Sequence, residues 1–279
     1  MLFPIHLQFA KNRLCFLATY AMMKSFPLRR CSPIKIALAS APVRNGDIEF
    51  NLRSMLDSMR ACAGNAELIL FGESVLQGFD ALCWNYDVDR RVAVSLTDEP
   101  IRRMREAAKA LGIAVSFGFI ERDGDALYSS QLFIGADGKI VNCFRRVSVG
   151  WKEYTKTDAH YREGTAFKAF RYAGKTFATA LCGDLWTDGR PEEMNALNAD
   201  VVLWPVWCDY TADEWNTSTR HEYAAQAALC GRNVLLVNPY CADPNAESRA
   251  AGAATHFRNG RIQSDRLADS PGTLLVQVD

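Results

Sequence analysis

Phe177-Ala-Thr-Ala-Leu-Cys-Gly-Asp-Leu-Trp186 is a short run of small and apolar residues that delivers a thiol into a Gly-Asp turn. Such a run reads as a buried strand, and a strand that ends in a tight turn presents one side chain at the rim of a sheet. Backbone amides just beyond that point can face a developing oxyanion, which makes Cys182 a candidate nucleophile. The competing reading is a buried, inert cysteine, because a reactive thiolate needs an electropositive environment. The rest of the chain must supply a base and a cation.

Outward from this stretch, residues 165–172 and 175–181 flank Gly174 and read as a hairpin leading to Cys182. Upstream, residues 34–42 and 67–72 read as buried strands. Residues 47–63 and 99–111 carry helical spacing, and Gly112 stops the second helix. Residues 113–121, 126–134 and 139–147 read as strands, the last two joined through Asp137-Gly138, a strong hairpin signal. Downstream come a helix at 190–199, a strand at 200–205, a long amphipathic helix at 214–230 and a strand at 233–239. Strand character recurs at 253–257, 261–264 and 273–278. Mixing βα units with hairpins predicts an α/β fold with mixed sheets covered by helices, and two such sheets packed together make an αββα sandwich.

The chain has 279 residues and is 49% hydrophobic, enough for one large domain, which we expect over residues 34–279. Lys plus Arg and Asp plus Glu balance at 32 each, so no global field draws the protein to nucleic acid or an anionic membrane. Nine cysteines, with no CxxC or paired Cys/His spacing, argue against a disulfide framework or structural zinc site and for a reducing, cytoplasmic setting. Residues 1–33 differ from the rest and are expected to be a poorly ordered N-terminal extension. Their apolar stretch of about ten residues is half of the about twenty needed to span a bilayer.

Glu73 follows directly on an apolar strand, so a carboxylate stands at a strand end like that of Cys182, where it suits a general base. Arg145, Arg146 and Lys152 lie where another strand enters a loop, and a cation there would favour thiolate and stabilise an oxyanion. His160 and His221 are the alternative bases for a Cys/His dyad.

In register, these stretches resemble the nitrilase, or carbon-nitrogen hydrolase, superfamily. Leu70-Phe-Gly-Glu-Ser-Val-Leu-Gln-Gly-Phe79 is similar to its glutamate motif. The stretch from Gly118-Phe-Ile-Glu121 to Phe144-Arg-Arg146 resembles the approach to its lysine. Leu181-Cys-Gly-Asp-Leu-Trp186 and Ala199-Asp-Val-Val-Leu-Trp-Pro205 resemble its nucleophile region. The resemblance implies an αββα sandwich and a cysteine-dependent hydrolase of a linear amide, N-carbamoyl compound or nitrile, acting through a thioester acyl-enzyme. Cys182 would be the nucleophile, Glu73 the general base, a lysine the oxyanion cation, and Gly183 the backbone donor. It implies no metal or organic cofactor, a small-molecule amide or nitrile substrate, and assembly into a homodimer or larger homo-oligomer. Trp186 and Trp207 are candidates for the substrate pocket, although core packing is the default for large aromatics.

Three departures stand out. Where the family has Tyr-Arg-Lys this chain has Phe144-Arg145-Arg146, so Lys152, six residues on, is the preferred replacement, since six extended residues span up to about 20 Å. Arg146 is the alternative, although its planar fork does not copy an ammonium. The family's additional glutamate is best matched by Asp158, with Glu153 competing. Gly72 also stands where a proline is usual, which is expected to loosen the turn before Glu73. The missing lysine leaves an alternative open, a catalytically impaired member that binds a metabolite or a partner protein.

Overall fold

Fourteen strands are described in the computed structural model, which covers residues 32–279. They are β1 (Ile34–Ser40), β2 (Pro42–Val43), β3 (Leu68–Phe71), β4 (Ala114–Asp123), β5 (Ala126–Ile134), β6 (Ile140–Arg145), β7 (Phe170–Tyr172), β8 (Lys175–Thr179), β9 (Val201–Pro205), β10 (Asn233–Val237), β11 (Tyr240–Cys241), β12 (Ala254–Arg258), β13 (Arg261–Arg266) and β14 (Gly272–Val278). Residues 1–31, on which nearly all of the expected N-terminal extension falls, lie outside the described residues.

One six-stranded sheet runs β14-β1-β3-β4-β5-β6 and a second runs β13-β12-β10-β9-β8-β7. Each has a parallel centre, β1-β3-β4 and β8-β9-β10, flanked by antiparallel strands. Both faces of the central strands are covered, which is why they read as continuous apolar runs rather than alternating ones. In β1 and β3, Ile36, Leu38, Leu68 and Leu70 point one way and meet Phe177, Leu203, Leu235 and Val237 of the other sheet. Their neighbours Ala37, Ala39, Ile69 and Phe71 point the other way, against Leu52, Met55, Met59, Ile101 and Met104. Those five belong to the helices Ile48–Cys62 and Glu99–Leu111. The second sheet packs its outer face on Met194 of Arg190–Ala196 and on Tyr223, Ala224 and Ala227 of Arg220–Cys230. Helix, sheet, sheet and helix make the expected αββα sandwich.

Local chemistry accounts for the boundaries. Asp47 caps the helix Ile48–Cys62 by accepting from the Phe50 amide at 2.9 Å, and Gly112 ends Glu99–Leu111 at φ 64°. The β7–β8 hairpin turns through Ala173 (φ 47°) and Gly174 (φ 79°), the left-handed pair that matches strand twist. The expected helix at 214–230 runs from Ala212–Glu214 through a π turn, Trp215–Thr219, into Arg220–Cys230. The helix Tyr86–Val92 has no counterpart in the sequence reading; Asn85 caps it, and its Asp89 side chain is consumed by loop amides.

One buried group couples this fold to pH. His256 on β12 is 2% exposed, with Nε2 3.2 Å from Asn233 Oδ1, and burial, then Arg258, depress its pKa to about 4. The unfolded chain binds a proton near pH ~6.5, so between the two values it holds the extra proton and stability falls as pH falls. The contribution is complete above pH ~6.5 and loses about 3 kcal/mol by pH ~4. In urea titrations at pH 7.5 and 5.0, wild type should lose about 2 kcal/mol more than His256→Gln; equal losses would contradict this assignment.

Candidate active site

Glu73 lies two residues past β3, Arg146 directly past β6 and Cys182 three residues past β8. The glutamate turn is built by close approach. A Cβ on Gly118 would stand 2.4 Å from the Ser74 nitrogen and 2.7 Å from Glu73 Cα, so only glycine admits the turn against β4. A Cβ on Gly72 would lie 2.5 Å from Pro239 Cδ. The ring of Pro239 fills the space beside Gly72, so a side chain there would have to displace it. The Glu73 amide donates to Val206 O at 3.3 Å, tying this strand end to the second sheet.

The Glu73 side chain is fully buried. Its Oε1 accepts from Arg146 Nη1 at 2.9 Å and from Ser129 Oγ at 3.0 Å, while Oε2 has no hydrogen-bond partner among the described residues. One oxygen is thus saturated and oriented, and the other keeps its accepting capacity. The Arg146 amide donates to Ser129 O at 2.9 Å and its Nε to Ser148 Oγ at 2.9 Å. Burial works against its charge, but Glu73, Cys182 and Asp184 outweigh it and raise its pKa. Adjacent arginines diverge here: Arg145 pairs outward with Glu121 and Asp123, and Arg146 turns inward.

Cys182 opens a tight turn, Cys182–Trp186, with φ 54°. A side chain other than glycine held in this left-handed region costs about 1 kcal/mol or more and is characteristic of functional turns. Its carbonyl accepts from Trp204 Nε1 at 3.0 Å, and its Sγ lies 3.6 Å from Trp207 O. Asp184 locks the turn to the arginine loop: Oδ1 accepts from the Val147 and Ser148 amides at 3.0 and 2.8 Å, Oδ2 from Leu181 N at 2.8 Å. Burial pushes this carboxyl up despite the opposing charge of Arg146 and those donors. Beside Cys182, the buried Cys208 thiol lies 3.1 Å from Tyr223 Oη, and the Cys182 sulfur, then burial, push it well above its usual range.

The other sequence candidates are held elsewhere. Lys152, the preferred cation, bonds Glu163 Oε1 at 2.7 Å and Tyr161 O at 2.5 Å, in a loop where Trp151 Nε1 shares that carboxylate. The Lys152 ammonium is thus anchored within its own loop, and the guanidinium that stands on Glu73 is that of Arg146. Asp158 is exposed and bonded to the amide and ring of His160, and Glu153 is exposed, so neither carboxylate joins Glu73. His160 stacks on Tyr86 at 3.7 Å, and His221 is exposed. Trp207 is buried, stacked on Phe79 and bonded to Ser248; Trp186 is 45% exposed, edge-on to Tyr223.

Ser129, Ser148 and Asp184 were not singled out from sequence. Asp184 carried a signal, an acidic residue two past the thiol in a tight turn, whereas nothing marks one serine of β5 as the partner of a residue 56 positions away.

Residues 35–279 match the carbon-nitrogen hydrolase family model. The chain is 24% identical over 170 residues to an (R)-stereoselective amidase of Pseudomonas sp, covering 61% of this chain and 59% of that one. It is 26% identical over 215 residues to a nitrilase of Pseudomonas syringae pv. syringae, covering 70% and 62%. The matched stretch spans less than two thirds of each of these relatives. A solved carbon-nitrogen hydrolase superfamily protein from Xanthomonas campestris superposes with a TM-score of 0.72 at 18% identity, covering 88% of this chain and 91% of that one. The chain belongs to the carbon-nitrogen hydrolase family. Among the described residues, no helix is long and apolar enough to cross a membrane.

Proposed function

We propose that this protein hydrolyses a non-peptide carbon–nitrogen bond of a small amide, N-carbamoyl compound or nitrile, with Cys182 as nucleophile, Glu73 as general acid and base, and Arg146 as the cation. The observation that carries this reading is the buried Glu73–Arg146 pair, with Glu73 Oε2 left without a partner and Asp184 tying the loop after Arg146 to the Cys182 turn. For an amide, Glu73 takes the thiol proton as Sγ bonds the carbonyl carbon. The oxyanion is held by Arg146 and the Gly183 amide. Collapse of the tetrahedral adduct breaks the C–N bond, and the proton on Glu73 leaves with the amine. Water then gives its proton to Glu73 and its oxygen to the thioester carbon; the second collapse releases the acid and restores the thiol.

The reading as a binding-only member drew its support from the missing lysine, and a buried guanidinium at that position removes much of that support. Iodoacetamide that fails to label Cys182 at neutral pH would restore it. Trp186 and Trp207 flank the Cys182 turn and are proposed as walls of the acyl pocket. A screen of amides, nitriles and carbamoyl amino acids, reading released ammonia, tests the reading: turnover with at least one class is expected, and none with any class would overturn it. In that assay Lys152→Ala should keep kcat within about threefold while losing about 1–2 kcal/mol of stability, since its charge anchors a loop. Loss of turnover in a folded Lys152→Ala protein would return the catalytic cation to Lys152.

A further inference from the structure

Gly183 follows the nucleophile, yet it does not adopt a left-handed backbone. Its φ therefore admits any residue, and only space restricts the position. A Cβ built there would stand 2.7 Å from Arg146 Nη2, closer than real Cβ contacts, while Ser148 Oγ at 3.6 Å and Arg146 Cζ at 3.8 Å are ordinary neighbours. Gly150 borders the same nitrogen, with its Cβ position 3.3 Å away. The far end of an arginine would ordinarily yield. Here it cannot swing alone, because the guanidinium is planar and is held on Glu73 by Nη1 and on Ser148 by Nε, with the side chain only 4% exposed.

We infer that Gly183 is a positioning residue whose missing side chain makes room for Arg146 in the oxyanion site, so that the arginine and the glycine form one functional unit. This rests on the cysteine-hydrolase reading above. Any side chain at 183 tilts the guanidinium plane, and the tilt is transmitted to the Glu73 carboxylate it holds. A lysine at 146 would end near the present Cζ position, 3.8 Å from the Gly183 Cβ site, and would meet that side chain without conflict.

The test is a double-mutant cycle of Gly183→Ala and Arg146→Lys, with kcat and KM measured on the best substrate from the ammonia screen and folding followed by thermal melts. Gly183→Ala is expected to lower kcat on the order of 100-fold with KM within about threefold, and Arg146→Lys to lower it roughly 10-fold. The double variant should equal Arg146→Lys within about threefold, since its lysine relieves the conflict. Losses that multiply, or a Gly183→Ala enzyme within about threefold of wild type, would overturn the inference. If Gly183→Ala does not fold, the double variant decides: folded and as active as Arg146→Lys supports the unit, unfolded overturns it. Cys182→Ala in the same assay separates the two levels, because its continued turnover sinks the hydrolase reading while the melts of the cycle still report on the Gly183–Arg146 contact.

Discussion

Cys182→Ala is expected to abolish hydrolysis, with turnover falling on the order of 10⁴-fold or more, and to leave the fold unchanged. Removal of the sulfur deletes the atom that forms the thioester, and alanine offers no nucleophile in its place. The structural cost is small. Alanine keeps the Cβ, so the strained φ of 54° costs what it did, and the backbone contacts of the turn are made by Trp204 and Asp184. The sulfur makes a long contact to Trp207 O at 3.6 Å and faces the Cys208 thiol, and neither anchors the backbone of the turn. Thermal melts should therefore superpose, and a folded variant that still releases ammonia would remove Cys182 from the chemistry.

Arg146→Ala should fail in two ways at once. Glu73 has no exposed surface, and removing one member of a buried ion pair destabilises by about 3–5 kcal/mol because the other charge is left unpaired. Turnover should fall on the order of 10²- to 10³-fold through loss of oxyanion stabilisation. The two effects can be separated. Arg146→Met combined with Glu73→Gln removes both charges and should recover most of the stability while remaining inactive. A pair variant that regains activity, or an Arg146→Ala protein as stable as wild type, would contradict the arrangement.

How much of this was legible in the sequence follows from what each residue reports. The sandwich was readable because strands buried on both faces have a signature of their own. The hairpins at Asp137-Gly138 and Gly174 announced themselves through turn chemistry. Cys182 and Glu73 could be singled out because each follows an apolar strand, and chain ends of this kind are where a sheet presents side chains at its rim. The residue that pairs with Glu73 could not. Arg145 and Arg146 are indistinguishable by type, and which of them turns inward depends on where β6 ends and on Asp184 gripping the Val147 and Ser148 amides. Lys152 offered the more familiar head group, but its destination is fixed by Glu163, eleven residues further along. Asp158 matched by spacing and is drawn instead to its neighbour His160. Gly183 was read for its amide alone; the volume that it leaves empty emerges only once a guanidinium stands 2.7 Å from the missing Cβ.

The most direct test of the central claim is mass spectrometry of the enzyme quenched in acid during turnover of an amide from the screen. The account predicts a thioester on the peptide bearing Cys182, with the mass of the acyl group less one hydrogen, absent from Cys182→Ala. An adduct on another cysteine, or continued hydrolysis by Cys182→Ala, would contradict it.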